Sequence, residues 1–316
     1  MKIGDWQRTF RKGFVDFFLT PMVPTPLALL RTGLGVLLLV QAYFLRFSVF
    51  DFFSSAGYIQ GGLAQILNNP TLPQISWLRQ LLAPWQVSEA TCIVLVCALY
   101  LLSLLAFTAG YWIRGATVLV WFFHWVLVNT ASSSSYGVDQ YIHIFLFYLI
   151  WAPSAWTAPP SSAARLLYRT MQLHLCISYL ASGIEKAQGI QWWNGELLWR
   201  VMSLPIYRQF DMSWLAQWPA VSMLAGWMTL VLELGYCVFI WPRQTRKFWL
   251  MGIVGMHLGI AVFLGLHLFG FVMALLNLAL FAPVEQGLKI AKSTAIFHFL
   301  QLLLGRRGWS RGSHHS

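Results

Sequence analysis

Lys186 has the clearest capacity for chemistry in this sequence, because it closes a long apolar segment. It lies within SYLASGIEKAQGIQWWNGELLW, residues 178–199. Only 10% of the residues are charged, and an ionisable group at membrane depth is costly enough to be a candidate for a functional site. Apolar surroundings favour the neutral form of an amine, which lets a lysine act as a base near neutral pH. We therefore place Lys186 at the centre of the candidate site.

Polar residues accompany Lys186 at helical spacing. One stripe shares its helix face and a second stripe lies beside it. Two polar stripes on one membrane helix indicate that the helix faces protein or a water-filled cavity. The alternative is that Lys186 extends to the membrane interface and pairs with Glu185, without a catalytic role. The first stripe comprises Gln172, Cys176, Tyr179 and Gly183, and the second comprises His174, Ser178, Ser182 and Glu185.

The composition predicts the class of protein that must position these residues. The 316 residues are 58% hydrophobic and 16% aromatic, whereas soluble domains are about half apolar and a quarter charged. Long unbroken apolar segments are typical of membrane helices, each of which needs roughly 20 residues to cross the bilayer core. We therefore predict an all-α, polytopic helical bundle with about eight transmembrane helices. The predicted limits are 25–49, 88–109, 115–131, 139–156, 165–185, 218–241, 248–266 and 268–283.

The distribution of basic residues predicts the orientation of the chain. If both termini are cytoplasmic, most of the 21 Lys and Arg residues lie on the inner side, as the positive-inside rule requires. Lys186 then lies towards the extracytoplasmic side. We expect one membrane domain over residues 1–316 in the cell inner (cytoplasmic) membrane: an interfacial N-terminal helix at 1–23, the bundle at 24–283 and an interfacial C-terminal tail at 284–316.

Several other classes of function are disfavoured by the sequence. The net charge of +11 fits cytoplasmic loops better than nucleic-acid binding, since no basic segment carries a recognition pattern. The histidines lack the spacing of metal ligands, so we expect no metal. A transporter is a third alternative, but the matched pair of broken helices that would point to it is missing. Glu233, deep in the sixth span, needs a partner, for which we expect Arg31, His257 or a proton.

Residues 178–199 resemble the HTTM (horizontally transferred transmembrane) domain family, which includes the membrane domain of vitamin K-dependent γ-glutamyl carboxylases. The sequence SGIEK (182–186), followed by WWNG (192–195), stands where the carboxylases have Ala-Gly-Val-Lys-Lys and a Trp-containing stretch. Two later segments are similar to the same family. They are LELGYCVFIWPRQTR (232–246) and HLGIAVFLGLHLFGFVMALLNLALFAP (257–283).

The resemblance implies a carboxylase-like lyase, or a quinol-dependent monooxygenase, that uses reduced vitamin K or menaquinol and no metal. Lys186 matches the lysine that acts as the base, and Glu185 stands where the carboxylases have another lysine. Asp139 and Gln140 stand near a histidine of the family. The expected catalytic residues are Lys186, Asp139 and Glu185, and those expected to bind substrate are Gln172, Tyr179, Trp192, Trp193, Gln140 and His267.

The expected partners are membrane lipid, a lipid quinone, a peptide substrate and an accessory protein. The sequence has no segment for the large lumenal domain with which carboxylases hold their substrate. The alternative function is therefore a membrane maturation or export factor for a small secreted peptide, of the sporulation-delaying-protein type. Lys186→Ala or Lys186→Met is expected to abolish activity without harming folding if Lys186 is the base.

Overall fold

The computed structural model describes residues 3–59 and 71–283, and most of these residues are helical. Helices make up 77% of the structure, and no strand is present in the described ranges. Their nearest approach to a sheet is an isolated antiparallel bridge between Met22 and Ser161. The predicted all-α class is confirmed.

Thirteen α-helices are described within these ranges. Nine of them are α1 Ile3–Phe18, α2 Thr25–Leu45, α4 Ile75–Leu81, α5 Glu89–Ala109, α6 Ile113–Thr130, α7 Gly137–Trp151, α8 Ser162–Gln188, α11 Pro219–Phe239 and α12 Arg243–Leu264. The others are α3 Val49–Phe53, α9 Ile190–Trp193, α10 Glu196–Ser203 and α13 His267–Phe281.

A helix occupies each of the segments that were predicted to span the membrane. By length and composition, four of them can cross a bilayer: Thr25–Leu45, Glu89–Ala109, Pro219–Phe239 and Arg243–Leu264. These four helices identify the chain as a membrane protein. His267–Phe281 is apolar as well, but it is shorter. Helix α1 lies within the predicted interfacial segment 1–23, and its position at a membrane surface stays a prediction.

The helix ends follow from local sequence. Ser88 begins α5 by accepting a hydrogen bond from the Thr91 backbone N–H at 3.1 Å, and Ser161 begins α8 in the same way with the Ala164 N–H. A serine side chain at this position satisfies one of the backbone donors that a helix start leaves free. Pro219 begins α11, where its missing N–H costs nothing.

The long helices pack around one apolar core. Helix α8 packs against α11, α12 against α13, and α2 against α5 and α13. Arg31 of α2 is buried in this core, where its guanidinium donates to the carbonyls of Ser154 at 3.1 Å and Thr108 at 3.2 Å, and also to that of Phe107. It thereby satisfies carbonyls in the last turn of α5. The expectation that Arg31 partners Glu233 is wrong, because backbone oxygens occupy it.

The segment after Lys186 does not leave the bundle. The short helices α9 and α10 pack against α11, and α9 also contacts α8. The contacts divide the chain into two units, Met1–Ala282 and Pro283–Ser316. The predicted interfacial tail at 284–316 lies outside the described residues.

Candidate functional site

The site is built where α8 crosses α11. Gly183 of α8 lies directly against Leu234 of α11: a β-carbon placed on Gly183 would lie 3.0 Å from the Leu234 backbone nitrogen. Small residues at a crossing let two membrane helices approach closely. Lys186 follows Gly183 by one helical turn and Glu233 precedes Leu234, so the crossing brings these two side chains together.

Lys186 and Glu233 form an ion pair within the bundle. The Lys186 Nζ lies 2.7 Å from Oε2 and 3.0 Å from Oε1 of Glu233, and it also donates to Ser182 Oγ. The Glu233 side chain is 6% exposed and that of Lys186 is 23% exposed. The expectation that a proton, Arg31 or His257 balances Glu233 is corrected, because Lys186 balances it. The alternative pairing of Lys186 with Glu185 is also wrong, since Glu185 is exposed and unpaired among the described residues.

Trp192 covers the amine from the side of α9. Its ring centroid lies 5.5 Å from the Lys186 Nζ, a distance at which a cation is attracted to the ring face. The next residue anchors α9: the Trp193 Nε1 donates to the Ala187 carbonyl at 2.8 Å, and the Trp193 carbonyl accepts from Trp227 Nε1 at 2.9 Å. Trp192 thus contacts the predicted base, whereas the hydrogen bonds of Trp193 hold α9 against α8 and α11.

The ion pair lies far from the beginning of α11. At 1.5 Å per residue, Glu233 lies about 21 Å along the helix axis from Pro219, where α11 starts. The first turns of α11 pack instead against α9 and α10. A β-carbon on Gly226 would lie 2.5 Å from the Trp192 carbonyl oxygen, which shows how closely α9 follows α11. Lys186 therefore lies well inside the bundle when depth is measured from the end at which α11 begins.

A second polar cluster lies beside the ion pair, on the same helices and on α12 and α13. The Tyr179 hydroxyl lies 2.8 Å from His257 Nε2 and accepts from Asn277 Nδ2 at 2.7 Å. The Tyr236 hydroxyl donates to Asn277 Oδ1 at 2.6 Å. His257 is 2% exposed, and its Nδ1 has no hydrogen-bond partner among the described residues. The cluster holds four helices together through buried hydrogen bonds.

The predicted substrate-binding residue Gln172 lies away from Lys186. It is buried on α8 about four turns before Lys186, where it accepts from Arg169 Nη1 at 2.7 Å and donates to the Leu280 carbonyl. The Tyr168 hydroxyl donates to that carbonyl as well. Gln172 therefore joins α8 to the end of α13, and this arrangement does not bring it to the ion pair.

Asp139 caps its own helix and makes no ion pair with Lys186 among the described residues. Its Oδ2 accepts from the Tyr136 backbone N–H at 3.0 Å at the start of α7. Burial, and then the charge of Asp139, raise the pKa of the Tyr136 phenol above its ordinary value. The geometry thus gives Asp139 a capping role. Gln140 and His267 are exposed residues in the first turns of α7 and α13.

Sequence reasoning did not assign five members of these clusters to the site: Ser182, Glu233, Tyr236, His257 and Asn277. The cost of a lone carboxylate inside a span was the available signal for Glu233, and Asn277 offered a similar one as an amide in an apolar segment. Where the structure is described, no group of three or more His, Cys, Asp or Glu side chains is placed to hold a metal ion.

The sequence and the structure were compared with known proteins. No family model, no curated protein and no solved structure matches the chain. The site therefore has to be interpreted from its own geometry, and the similarity of residues 178–199 to the HTTM family stays a resemblance.

Proposed function

We propose that this protein is a membrane-embedded, carboxylase-like enzyme that uses a lipid quinol, with Lys186 as its base. The observation that carries the proposal is the Lys186–Glu233 pair, an amine and a carboxylate 2.7 Å apart in the interior of an apolar bundle. Ionisable residues inside membrane helices mark functional sites more often than structural ones. Asp139 and Glu185 have no catalytic part in this proposal.

Each residue around the amine has a chemical part. In its neutral form, Lys186 takes a proton from an acidic hydroxyl and becomes an ammonium ion. Both carboxylate oxygens of Glu233 accept hydrogen bonds from Nζ, so the ammonium ion has a partner of opposite charge. Ser182 fixes the direction of Nζ from one turn earlier on the same helix, and Trp192 shields the pair from water.

The surroundings of the pair fit a quinol such as reduced vitamin K or menaquinol. A quinol supplies an aromatic hydroxyl that a base can deprotonate. Trp192 presents an aromatic surface 5.5 Å from Nζ, against which a flat ring can pack. The carboxylate of Glu233, at 6% exposure, is withdrawn from water. A site without bulk water suits carboxylation. Removing a proton from a peptide glutamate needs a strong base, and water would protonate that base first.

The proposal includes the topology and location of the protein. We propose that the helices α2, α5, α6, α7, α8, α11, α12 and α13 all cross the cell inner membrane, with both termini cytoplasmic. Lys186 then lies at the extracytoplasmic end of α8, while Glu233 lies about 21 Å along α11 from the extracytoplasmic start of that helix. Fusions of a cytoplasm-dependent fluorescent protein and a periplasm-dependent phosphatase to residue 283 test this orientation. We expect fluorescence and no phosphatase activity.

The reaction is tested with purified protein in lipid nanodiscs. The assay follows consumption of a short-chain menaquinol by chromatography and incorporation of radiolabelled bicarbonate into a glutamate-containing peptide. We expect faster quinol consumption than in empty nanodiscs, together with labelled peptide. Quinol consumption at the rate of empty nanodiscs would contradict the proposal. Consumption without label would retain a quinol-dependent monooxygenase and exclude the carboxylase.

A second candidate function is favoured by the exposed apolar side chains between α10 and α11. Ile206 is 78% exposed, Trp218 63% and Phe210 51%, and exposed apolar patches mark interaction surfaces. Such a surface suits a membrane maturation or export factor for a small secreted peptide, with an accessory protein as partner. Deletion of the gene would then prevent the peptide from maturing, and the Lys186→Arg variant would restore maturation fully.

A further inference from the structure

A cleft with a volume of about 310 Å³ is lined by residues between Asn194 and Ser222. It is formed by α10, the 3₁₀ turn Ser213–Ala216 and the first turn of α11. Lys186 does not line it. The residues that matter for its chemistry are Asn194, Glu196, Trp199, Leu215, Pro219 and Ser222.

Ser222 gives the cleft a polar group without a partner. The residue is 3% exposed, and its hydroxyl makes no hydrogen bond with any described residue. A buried hydroxyl without a hydrogen bond is costly, and nearly all such groups in proteins are satisfied. Ser222 lies one turn into α11 from Pro219, and it is one of the residues that line the cleft. The position is therefore suited to a hydrogen bond with a ligand.

The other walls define the chemistry of that ligand. Trp199, Leu215 and Pro219 are apolar, and the charge of Glu196 is balanced by an ion pair with Arg200. An uncharged ligand therefore fits better than an ion. Small-molecule pockets span roughly 300–1,000 Å³, so this cleft suits a molecule of one or two rings. The indole of Trp199 favours an aromatic ring.

The cleft is rigid because α10 is fixed closely to α11. Gly195, between α9 and α10, has φ +76, and a β-carbon there would lie 2.5 Å from the Met223 backbone nitrogen. Only glycine combines this backbone conformation with such a close approach. Met223 directly follows Ser222, so the turn that carries Asn194 is held against the residue with the free hydroxyl.

We propose that this cleft binds an uncharged aromatic alcohol, whose oxygen forms a hydrogen bond with Ser222 Oγ while its ring packs against Trp199. The proposal rests on the cleft alone and does not require Lys186 to be a base. The quinol considered above belongs to this chemical class, as do simpler ring alcohols.

Isothermal titration calorimetry with 1-naphthol and naphthalene tests the proposal, using protein in lipid nanodiscs and empty nanodiscs as the blank. We expect saturable binding at one site, with 1-naphthol bound about 3- to 10-fold more tightly than naphthalene, the equivalent of one neutral hydrogen bond. Ser222→Ala should bind both molecules equally and should fold normally, because it removes a hydroxyl that has no partner.

Two further variants complete the experiment. Thr229→Ala removes a hydroxyl from the same helix that is already bonded to the Ala225 carbonyl, and it should bind like the wild type. Ala216→Phe places a ring in the cleft and should abolish saturable binding. The proposal is overturned if 1-naphthol only partitions into lipid, if Ser222→Ala keeps the preference for 1-naphthol, or if Ala216→Phe binds normally.

Discussion

The amine of Lys186 and the carboxylate of Glu233 are 2.7 Å apart, although the two residues belong to different helices. A change to one member leaves a buried charge alone. We predict that Lys186→Met destabilises the protein by about 3–5 kcal/mol, and Glu233→Leu by a similar amount, as found for broken buried pairs. The double variant should recover most of the loss. Thermal unfolding in detergent measures all three, and Glu185→Gln is a control expected to stay near the wild type.

This prediction corrects the sequence-based expectation that Lys186→Met leaves folding unharmed. That expectation treated Lys186 as an amine without a buried ion-pair partner. The cost of an unpaired Glu233 carboxylate follows from its partner, which only the structure identifies. Equal stability of Lys186→Met and the double variant would show that the two charges are not coupled.

The approach of α8 to α11 depends on Gly183. We predict that Gly183→Ala lowers stability by about 1–2 kcal/mol, since the added methyl group meets the Leu234 backbone at 3.0 Å and must push the helices apart. The same change should reduce activity, because it separates Lys186 from Glu233. Gly259→Ala on α12 is the matched control: nothing lies within 4 Å of its new methyl group, so better helix propensity should stabilise it slightly. Effects of equal sign at both positions would contradict the close crossing.

Asn277 connects the hydroxyls of Tyr179 and Tyr236. It is 0% exposed, so its loss leaves the Tyr236 hydroxyl buried without an acceptor. We predict that Asn277→Leu costs about 1–3 kcal/mol, measured by the midpoint of thermal unfolding. Tyr236→Phe in the same chain removes the stranded hydroxyl and should restore part of the loss. Thr170→Ala, which removes a hydroxyl bonded to the Leu166 carbonyl of the same helix, should have little effect. No rescue by Tyr236→Phe would exclude the network as the cause.

Arg31 holds its carbonyl partners with a planar fork that lysine cannot reproduce. It is 1% exposed. We predict that Arg31→Lys costs on the order of 2 kcal/mol, because a shorter point charge cannot reach Ser154 and the end of α5 together. The exposed Arg46 gives the matched control, and Arg46→Lys should unfold at the wild-type temperature. An equally stable Arg31→Lys variant would show that the fork geometry is unimportant.

The sequence was sufficient to predict the helices and the importance of Lys186. Each predicted span coincides with an observed helix, because the length of a membrane helix is set by the bilayer, but the short helices α3, α4, α9 and α10 were not predicted. Periodicity also put Tyr179, Ser182, Gly183 and Lys186 on neighbouring faces of α8. These are properties of single helices, which local sequence determines.

The pairing between helices could not be predicted in the same way. Glu233 was recognised as costly but was matched to Arg31 or His257, because the depth of α11 relative to α8 was unknown. Helix α11 begins about 21 Å before Glu233, beside α9 and α10, and this offset brings the carboxylate level with Lys186. Gln172 and Asp139 were assigned to the site from position and resemblance, whereas their hydrogen bonds are made elsewhere.

The most direct test of Lys186 as a base is the Lys186→Arg variant. Arginine keeps the positive charge beside Glu233 but does not lose its proton in proteins. This one change therefore keeps the ion pair and removes the base. The measurement is the rate of menaquinol consumption by purified variants in nanodiscs, each first shown to unfold at the wild-type temperature. We predict that Lys186→Arg consumes quinol no faster than empty nanodiscs, while Glu185→Gln retains the wild-type rate. A folded Lys186→Arg protein with the wild-type rate would contradict the account.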